Sequence, residues 1–408
     1  MAVRRHAIVG LGSRAQLFAR ALASSPRAEL AAFCDHNETR MRVHNGWLGT
    51  EIPAYRPEDF TAMLAKERID VVVVCTPDHT HAEYVVAALE AGCDVVTEKP
   101  MTTDVEGARA ILAARRETGR SVRVAFNYRY NPVHRRVREL LAAGTIGEIG
   151  SVEFSWLLDT AHGADYFRRW HRDKANSGGL LVHKSGHHFD LVNWWLGSGP
   201  ETVFALGRLF FYGDKTGHRT AGDRFALDLG ASPKLRALYR DAEREDGYVR
   251  NQDVFAPGVT IEDDLSVLVR HHGGAVLNYH LHAYSPREGY RVAFSGSEGR
   301  LELDVRENEY ASGAEPVPKR ASARLTVQRH WEPPETVFDG ELGDGHGGGD
   351  ERMLAELLGD AEPDALGCAA DHDAGLQALL TGLAANRSLE TGRPVSVEEL
   401  LGEIGEPA

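Results

Sequence analysis

Between residues 6 and 127 the chain alternates short apolar runs with stretches of helical character, and this rhythm restricts the fold more than any other feature. HAIVGL (6–11), ELAAFCD (29–35), IDVVVVCTP (69–77), DVVTEKP (94–100) and VRVAFN (122–127) read as strands. Residues 13–24, 57–67, 80–92 and 104–119 read as helices, the last two ending at Gly92 and Gly119 as helix C-termini often do. An unbroken apolar run such as VVVV fits a strand covered on both faces, the situation of a parallel sheet. Strand–helix alternation of this kind predicts a doubly covered α/β sheet.

After about residue 130 the rhythm changes. A helix at 132–143 leads into GTIGEIGSVEFSW, read as a strand, and strand-like runs recur near 202–211, 265–270, 275–283, 290–295, 300–305 and 323–329. Tight glycine turns (HHGGAV, SGSEGRL) join several of them, which argues a mostly antiparallel open sheet. One long helix is expected at about 180–196, and two more at 350–359 and 371–386. Residues 212–262 read as an insertion, and 306–322 and 339–349 as exposed loops. At 408 residues the chain has room for two domains, placed at 1–127 and 128–408.

Lys and Arg number 46 against 60 Asp and Glu, a net charge of −14, so a basic nucleic-acid face is disfavoured. The four cysteines form no C-x-x-C pair, and the surroundings of three of them suggest reduced, buried thiols and a cytoplasmic location. No apolar run is long enough for a membrane span, and the Arg4-Arg5 pair is followed by too short an apolar stretch for a secretory signal.

The first strand ends in Gly10-Leu-Gly12-Ser13-Arg14-Ala15, a G-x-G-x-x-A pattern that opens a helix. Gly10 permits the tight turn, Gly12 lets a pyrophosphate approach the backbone, and Ala15 allows close helix packing. Asp35 ends the second strand about 20 residues on, where a carboxylate binds both ribose hydroxyls. This predicts dinucleotide binding, with NAD favoured over NADP because a 2′-phosphate would meet a negative charge. Arg40, five residues later, softens that preference. Arg14 is expected along the adenine or near the phosphates. Thr76 and Pro77, with His79 and His81 just beyond, sit at the carboxyl end of the sheet, where ligands bind in such folds. Glu98-Lys99-Pro100 ends the next strand on the same edge and aims an ammonium into the crevice, fit for proton transfer beside a nicotinamide.

Taken together, these residues resemble the glucose–fructose oxidoreductase / inositol dehydrogenase (Gfo/Idh/MocA) family. The resemblance rests on the glycine turn, Asp35, Thr76-Pro77, Glu98-Lys99-Pro100, Asn127, the GTIGEIG turn, the SGG…H…D helix (177–190) and the tail LAANRSLETGRPV. It implies an N-terminal Rossmann domain and a C-terminal α/β domain on a large open sheet. It also implies hydride transfer between NAD(P) and a sugar or polyol, Asn127 among the cofactor contacts, and dimers or tetramers formed through the sheet. Counting back from Asp190 places His187 at the family's catalytic histidine, whereas His183 stands where the family usually has Asp.

His183 and His187 are four apart, so on a continuous helix they share one face, with Lys184 and His188 beside it. Their pattern reads as an acid/base and substrate site; zinc binding and satisfied interface histidines are the competing readings. Upstream, the segment from Asp159 to His171 is dense in polar and aromatic groups. His162 and Tyr166 are its catalytic candidates, Asp165 and Trp170 are placed with the substrate, and Arg169 reaches the cofactor or a substrate anion. Tyr284, Arg287 and Tyr290 are further lining candidates. The expected activity is NAD-dependent oxidation of a secondary hydroxyl of a sugar, polyol or glycoside. The altered catalytic face leaves open an NAD-dependent glycoside hydrolase with no net redox change. A cofactor-binding protein without catalysis is a third class, opposed by the presence of Lys99 and His187.

Overall fold

The structure, a computed structural model, describes residues 3–215, 223–310, 321–361 and 364–406. Parts of the expected insertion (216–222) and of the expected 306–322 loop (311–320) lie outside them. Its contacts divide the chain into two units. The first comprises residues 1–126, 227–252 and 351–376; the second comprises 127–226, 253–350 and 377–408.

The first unit holds a six-stranded sheet of β1 (Arg4–Val9), β2 (Ala28–Cys34), β3 (Ala54–Tyr55), β4 (Val71–Val74), β5 (Asp94–Thr97) and β6 (Val122–Val124). Its order is β3-β2-β1-β4-β5-β6 and every pairing is parallel. All four valines of β4 are buried, as a strand covered on both faces requires. The order reverses between β1 and β4, and ligands of open α/β sheets bind at such a reversal, beyond the strands' carboxyl ends.

The sequence reading missed a helix at Glu38–Leu48. Its buried residues are Arg40, Met41 and His44, two of them polar, so hydrophobic periodicity does not reveal it. Asn37 caps it by accepting the Arg40 backbone N–H, and Gly49 closes it in the left-handed conformation.

The second unit is built on nine strands. They are β7 (Ile149–Asp159), β8 (Pro200–Arg208), β9 (Asp264–His271), β10 (Val276–Ser285), β11 (Glu288–Gly296), β12 (Gly299–Asn308), β13 (Ser322–Arg329), β14 (Glu335–Glu341) and β15 (Val395–Ser396). They run in the order β14-β13-β12-β11-β7-β10-β9-β8-β15. Only the β7–β10 pairing is parallel; the rest are antiparallel. Along β10, Leu277, Tyr279, Leu281 and Ala283 are buried, while the alternate residues are exposed or half-buried. One face of the sheet is therefore covered. The other carries Glu153, His280, Arg291, Arg300, Asp304 and Arg324 around a shallow hollow.

Two expectations are corrected here. The 339–349 stretch is not a loop: β14 runs to Glu341 and a helix spans Asp344–Leu357. Gly349 serves close approach, since a Cβ there would lie 2.7 Å from the Asn127 carbonyl oxygen. The helix expected at 180–196 is broken into Gly179–His183 and Gly186–Leu196. Ser185 sits at the break, where its hydroxyl accepts a hydrogen bond from the Tyr279 hydroxyl at 2.9 Å, and Gly186 restarts the helix.

Candidate functional site

In the first unit, Gly10 has φ +84°, and a Cβ there would lie 2.6 Å from the Thr76 nitrogen and 2.7 Å from the Cys75 carbonyl carbon. Only glycine lets the end of β1 lie against the end of β4 in this way. Gly12 and Ser13 follow, and buried Ala15 starts the helix Ala15–Ser24. The buried Asp35 carboxylate accepts the backbone N–H of Leu11 at 2.5 Å and of Asn37 at 2.8 Å, so it fixes both the glycine turn and the turn after β2. His44, which the sequence reading missed, donates its Nε2–H to the Leu11 carbonyl at 3.1 Å. Burial pushes its pKa down to about 4, so it holds the glycine turn as a neutral ring.

Arg14, at the N-cap of the helix Ala15–Ser24, donates its Nε–H to the Glu98 carboxylate at 2.5 Å, just beyond the end of β5. Lys99 follows, half-buried, with its backbone N–H bonded to the same carboxylate at 3.3 Å. Thr76 and Pro77 are half-buried on this edge. The Thr76 hydroxyl oxygen is buried and bonds to nothing among the described residues, an open polar group where a ligand is expected. His79 is exposed. His81, expected as a cofactor contact, lies wholly buried between the Thr76 carbonyl at 3.0 Å and the Pro100 carbonyl at 2.7 Å, and burial lowers its pKa. Its ring donates to one of these carbonyls and packs against the other, between two strand ends, so it is not offered to a ligand.

In the second unit the candidates divide between two faces of packing. Asp159 caps the helix Thr160–Arg168 by accepting the N–H groups of Ala161 at 2.8 Å and His162 at 2.7 Å. His162 and Tyr166 lie one turn apart on that helix, a spacing of four that the sequence displays. Gly163 packs the helix onto β10, because a Cβ there would run into the Ala283 carbonyl oxygen.

His162 Nδ1 lies 2.7 Å from the Glu288 carboxylate, which accepts its proton, and that fixes the tautomer. In the neutral ring Nε2 is then the acceptor, 3.3 Å from the Tyr166 hydroxyl, so the tyrosine donates to it. Glu288, buried at the start of β11, was missed; strand periodicity carries no sign of its distant partner. The Tyr166 ring also meets His183 at 5.6 Å and His171 at 5.6 Å, and Trp170 stacks on His171 at 3.6 Å. Asp165 lies 3.6 Å from Arg168 and 3.5 Å from Arg169.

His187 has different neighbours. It stacks on Tyr128 at 4.7 Å between ring centres, and Tyr128, also missed, belongs to the turn after residue 126. The helix that carries the two histidines is interrupted at 184–185, and the rings stacked or packed on them differ: Tyr166 and His171 for His183, Tyr128 for His187. Among the described residues the one group that brings three metal-ligand atoms within 4.8 Å of one another is Asp371, His372 and Asp373. Lys184 is buried, with Nζ 3.3 Å from the Tyr128 hydroxyl and 4.6 Å above the Trp156 ring. Asp190 anchors the helix Gly186–Leu196 through a buried two-pronged pair with Arg129, at 2.6 and 2.8 Å. Breaking such a pair costs about 3–5 kcal/mol.

Several lining candidates are corrected. His188 is fully buried, stacked on Trp156 at 4.1 Å and bonded to the Tyr279 hydroxyl at 2.7 Å; it belongs to the helix–sheet core. Tyr290 likewise stacks on Trp156 at 4.4 Å and donates to His134 Nε2 at 2.5 Å. Tyr284 donates to Asp264 at 3.0 Å on the sheet face opposite Tyr279, an odd number of residues away along β10. Arg287 is half-buried, its backbone N–H directed to Ser285 Oγ at 3.4 Å. Asn127 donates to Asp350 at 2.7 Å and lies 2.9 Å from His346 Nδ1, both within the second unit.

The sequence profile described as an oxidoreductase family with an NAD-binding Rossmann fold matches residues 4–126, and that of the same family's C-terminal alpha/beta domain matches 138–397. YteT of Bacillus subtilis (strain 168) is 36% identical over 377 residues, 86% of each chain. Inositol 2-dehydrogenase of Rhizobium meliloti (strain 1021) is 31% identical over 201 residues, 49% of this chain and 57% of that protein. Among solved structures, aldose-aldose oxidoreductase from Caulobacter crescentus superposes with a TM-score of 0.67 at 19% identity, covering 97% of this chain and 99% of the other. At that identity the likeness speaks for the fold alone. No helix among the described residues is long and apolar enough to cross a membrane.

Proposed function

Because this chain belongs to the Gfo/Idh/MocA oxidoreductase family, with an NAD-binding Rossmann domain, we propose that it oxidises a secondary hydroxyl of a sugar, polyol or glycoside, or runs the reverse reduction, with NAD. The observation that carries the reading is the Glu288–His162–Tyr166 chain, an oriented proton relay whose histidine tautomer is fixed by a carboxylate. The residues that would hold the cofactor are Gly10, Gly12 and Ser13, whose turn would take the pyrophosphate once the Ser13 N–H exchanges its Tyr239 hydroxyl partner for it, Asp35 for the ribose, and Thr76, whose buried hydroxyl has no partner among the described residues. The bound nicotinamide supplies the redox chemistry. Lys99 and His187 orient the alcohol, as the family resemblance implies. Tyr166 exchanges the alcohol proton with His162, and Glu288 stabilises the imidazolium that results. The charged open face of the second unit's sheet is proposed to pair copies of the chain into dimers or tetramers.

The test is to incubate the protein with NAD and a panel of free sugars, polyols and nitrophenyl glycosides while following NADH and nitrophenol absorbance separately. Steady NADH formation on one substrate is expected and identifies its class. NAD-requiring nitrophenol release without net NADH would replace this reading with redox-neutral glycoside cleavage. Neither signal across the panel would remove the sugar and polyol assignment.

A further inference from the structure

The segment 227–252 lies within the expected insertion, yet it belongs to the first unit. Leu229, Leu238 and Tyr239 are buried there, with Val43 and Trp47 of the helix Glu38–Leu48 packed against them. The Tyr239 hydroxyl accepts the Ser13 N–H of the glycine turn at 3.0 Å. The Leu238 carbonyl accepts Arg40 Nε–H at 3.1 Å, and the Ala242 carbonyl accepts Asn37 Nδ2–H at 2.9 Å. The segment is thus fastened over the part of the fold that receives the adenosine end of a dinucleotide.

It brings one carboxylate with it. Asp246 lies 2.7 Å from Arg40 Nη2, 3.0 Å from Asn37 Nδ2 and 3.2 Å from His36 Nε2. Arg40 Nη1 is 3.9 Å from Asp35, so one guanidinium stands between two carboxylates. Both Asp side chains are 4% exposed and that of Arg40 is 8% exposed, so water screens this group weakly. An arginine shortly after the second strand is the residue that accommodates the 2′-phosphate of NADP in Rossmann folds. Here Arg40 holds that place but is already engaged by Asp246. A 2′-phosphate would bring further negative charge beside the Asp35 and Asp246 carboxylates, and it would have to displace Asp246 to reach Arg40.

We infer that Asp246, supplied by the insertion, is a second specificity carboxylate that acts with Asp35 to exclude the 2′-phosphate, so that the chain selects NAD(H) over NADP(H). The inference rests on the cofactor reading above. Isothermal titration of the full chain with NADH and with NADPH tests it. Wild type is expected to bind NADH at least a hundredfold more tightly. Asp246→Asn is expected to raise NADPH affinity at least tenfold and leave NADH affinity within threefold, and Asp246→Glu to restore the discrimination. An NADH/NADPH ratio unchanged within twofold in Asp246→Asn overturns the inference, as does equal binding of both by wild type. If wild type binds neither, the cofactor reading itself falls. Should Asp246→Asn fail to fold, wild type still decides: 5′-ADP is expected to displace NADH and 2′,5′-ADP is not, and equal displacement overturns the inference.

Discussion

The two units prepare for chemistry in opposite ways. In the first, the work falls to backbone and to residues at strand ends. Gly10, Gly12 and Ser13 make a turn, and Asp35 grips it through two backbone N–H groups. In the second, the work falls to side chains gathered from far apart in the chain. Glu288 on β11 holds His162 on a helix 126 residues earlier, and His162 receives the Tyr166 hydroxyl. A site made of a local turn is robust in sequence and sensitive to single atoms of bulk. A relay assembled across the fold depends on packing for its alignment.

The sharpest way to break this contrast is through turnover. Lys99→Met in the first unit and Tyr166→Phe in the second are each expected to lower kcat by about 10²–10⁴-fold while NADH binding, read by titration, stays within a few fold. If Tyr166→Phe turns over normally, the Glu288–His162–Tyr166 chain is structural and the second unit's acid/base role falls to His183 or His187.

A smaller effect is expected from acid, and in both units at once. Burial depresses His44 and His134 from 6.5 to about 4. His134 donates Nδ1–H to the Tyr128 carbonyl at 2.8 Å and accepts at Nε2, so it too is held neutral. Such a histidine is unprotonated in both folded and unfolded chains above pH 6.5. Below that pH the unfolded chain binds protons that the folded chain refuses, so stability falls as pH drops from 6.5 towards 4. The loss approaches about 3 kcal/mol per histidine at the lower end. Tm measured from pH 8 to 4.5 should be level and then decline below about 6.5. A flat profile down to pH 5 would mean that these rings are not buried and neutral.

The finest comparison uses two glycines that permit close approach. Gly10→Ala forces a Cβ onto the Cys75–Thr76 backbone at φ +84°, and Gly163→Ala forces one onto the Ala283 carbonyl. Each is expected to cost about 1–3 kcal/mol of stability. Their functional effects should diverge, with Gly10→Ala weakening NADH binding and Gly163→Ala mainly lowering kcat. Identical kinetic profiles would remove the division of labour between the units.

Much of the cofactor half was legible because its signals are local. A strand, two glycines, an alanine and a carboxylate about 20 residues later sit within one βαβ unit, and hydrophobic periodicity marks the strands around them, while their order in the sheet is a tertiary fact. The helix Glu38–Leu48 escaped because its buried face is polar: Arg40 meets Asp246 and His44 meets Leu11, partners that periodicity does not show. In the other half, the residue types around His162, Tyr166, His183 and His187 were visible, but their alignment was not. The helix is interrupted at 184–185, between the two histidines, and Ser185 there takes a hydrogen bond from Tyr279, a tertiary partner that no local pattern shows. The same limit hid Glu288 and Tyr128, and it made core residues of His188 and Tyr290.

By itself the sequence determined the parallel sheet with its dinucleotide turn, the mostly antiparallel second sheet and the presence of Lys99 on a strand-end edge, because short-range periodicity and turn chemistry dictate these. Only the tertiary structure decided which polar residues face one another. Those pairings depend on where distant segments pack, as when Asp246 reaches Arg40 and Glu288 reaches His162, and no local pattern carries that information.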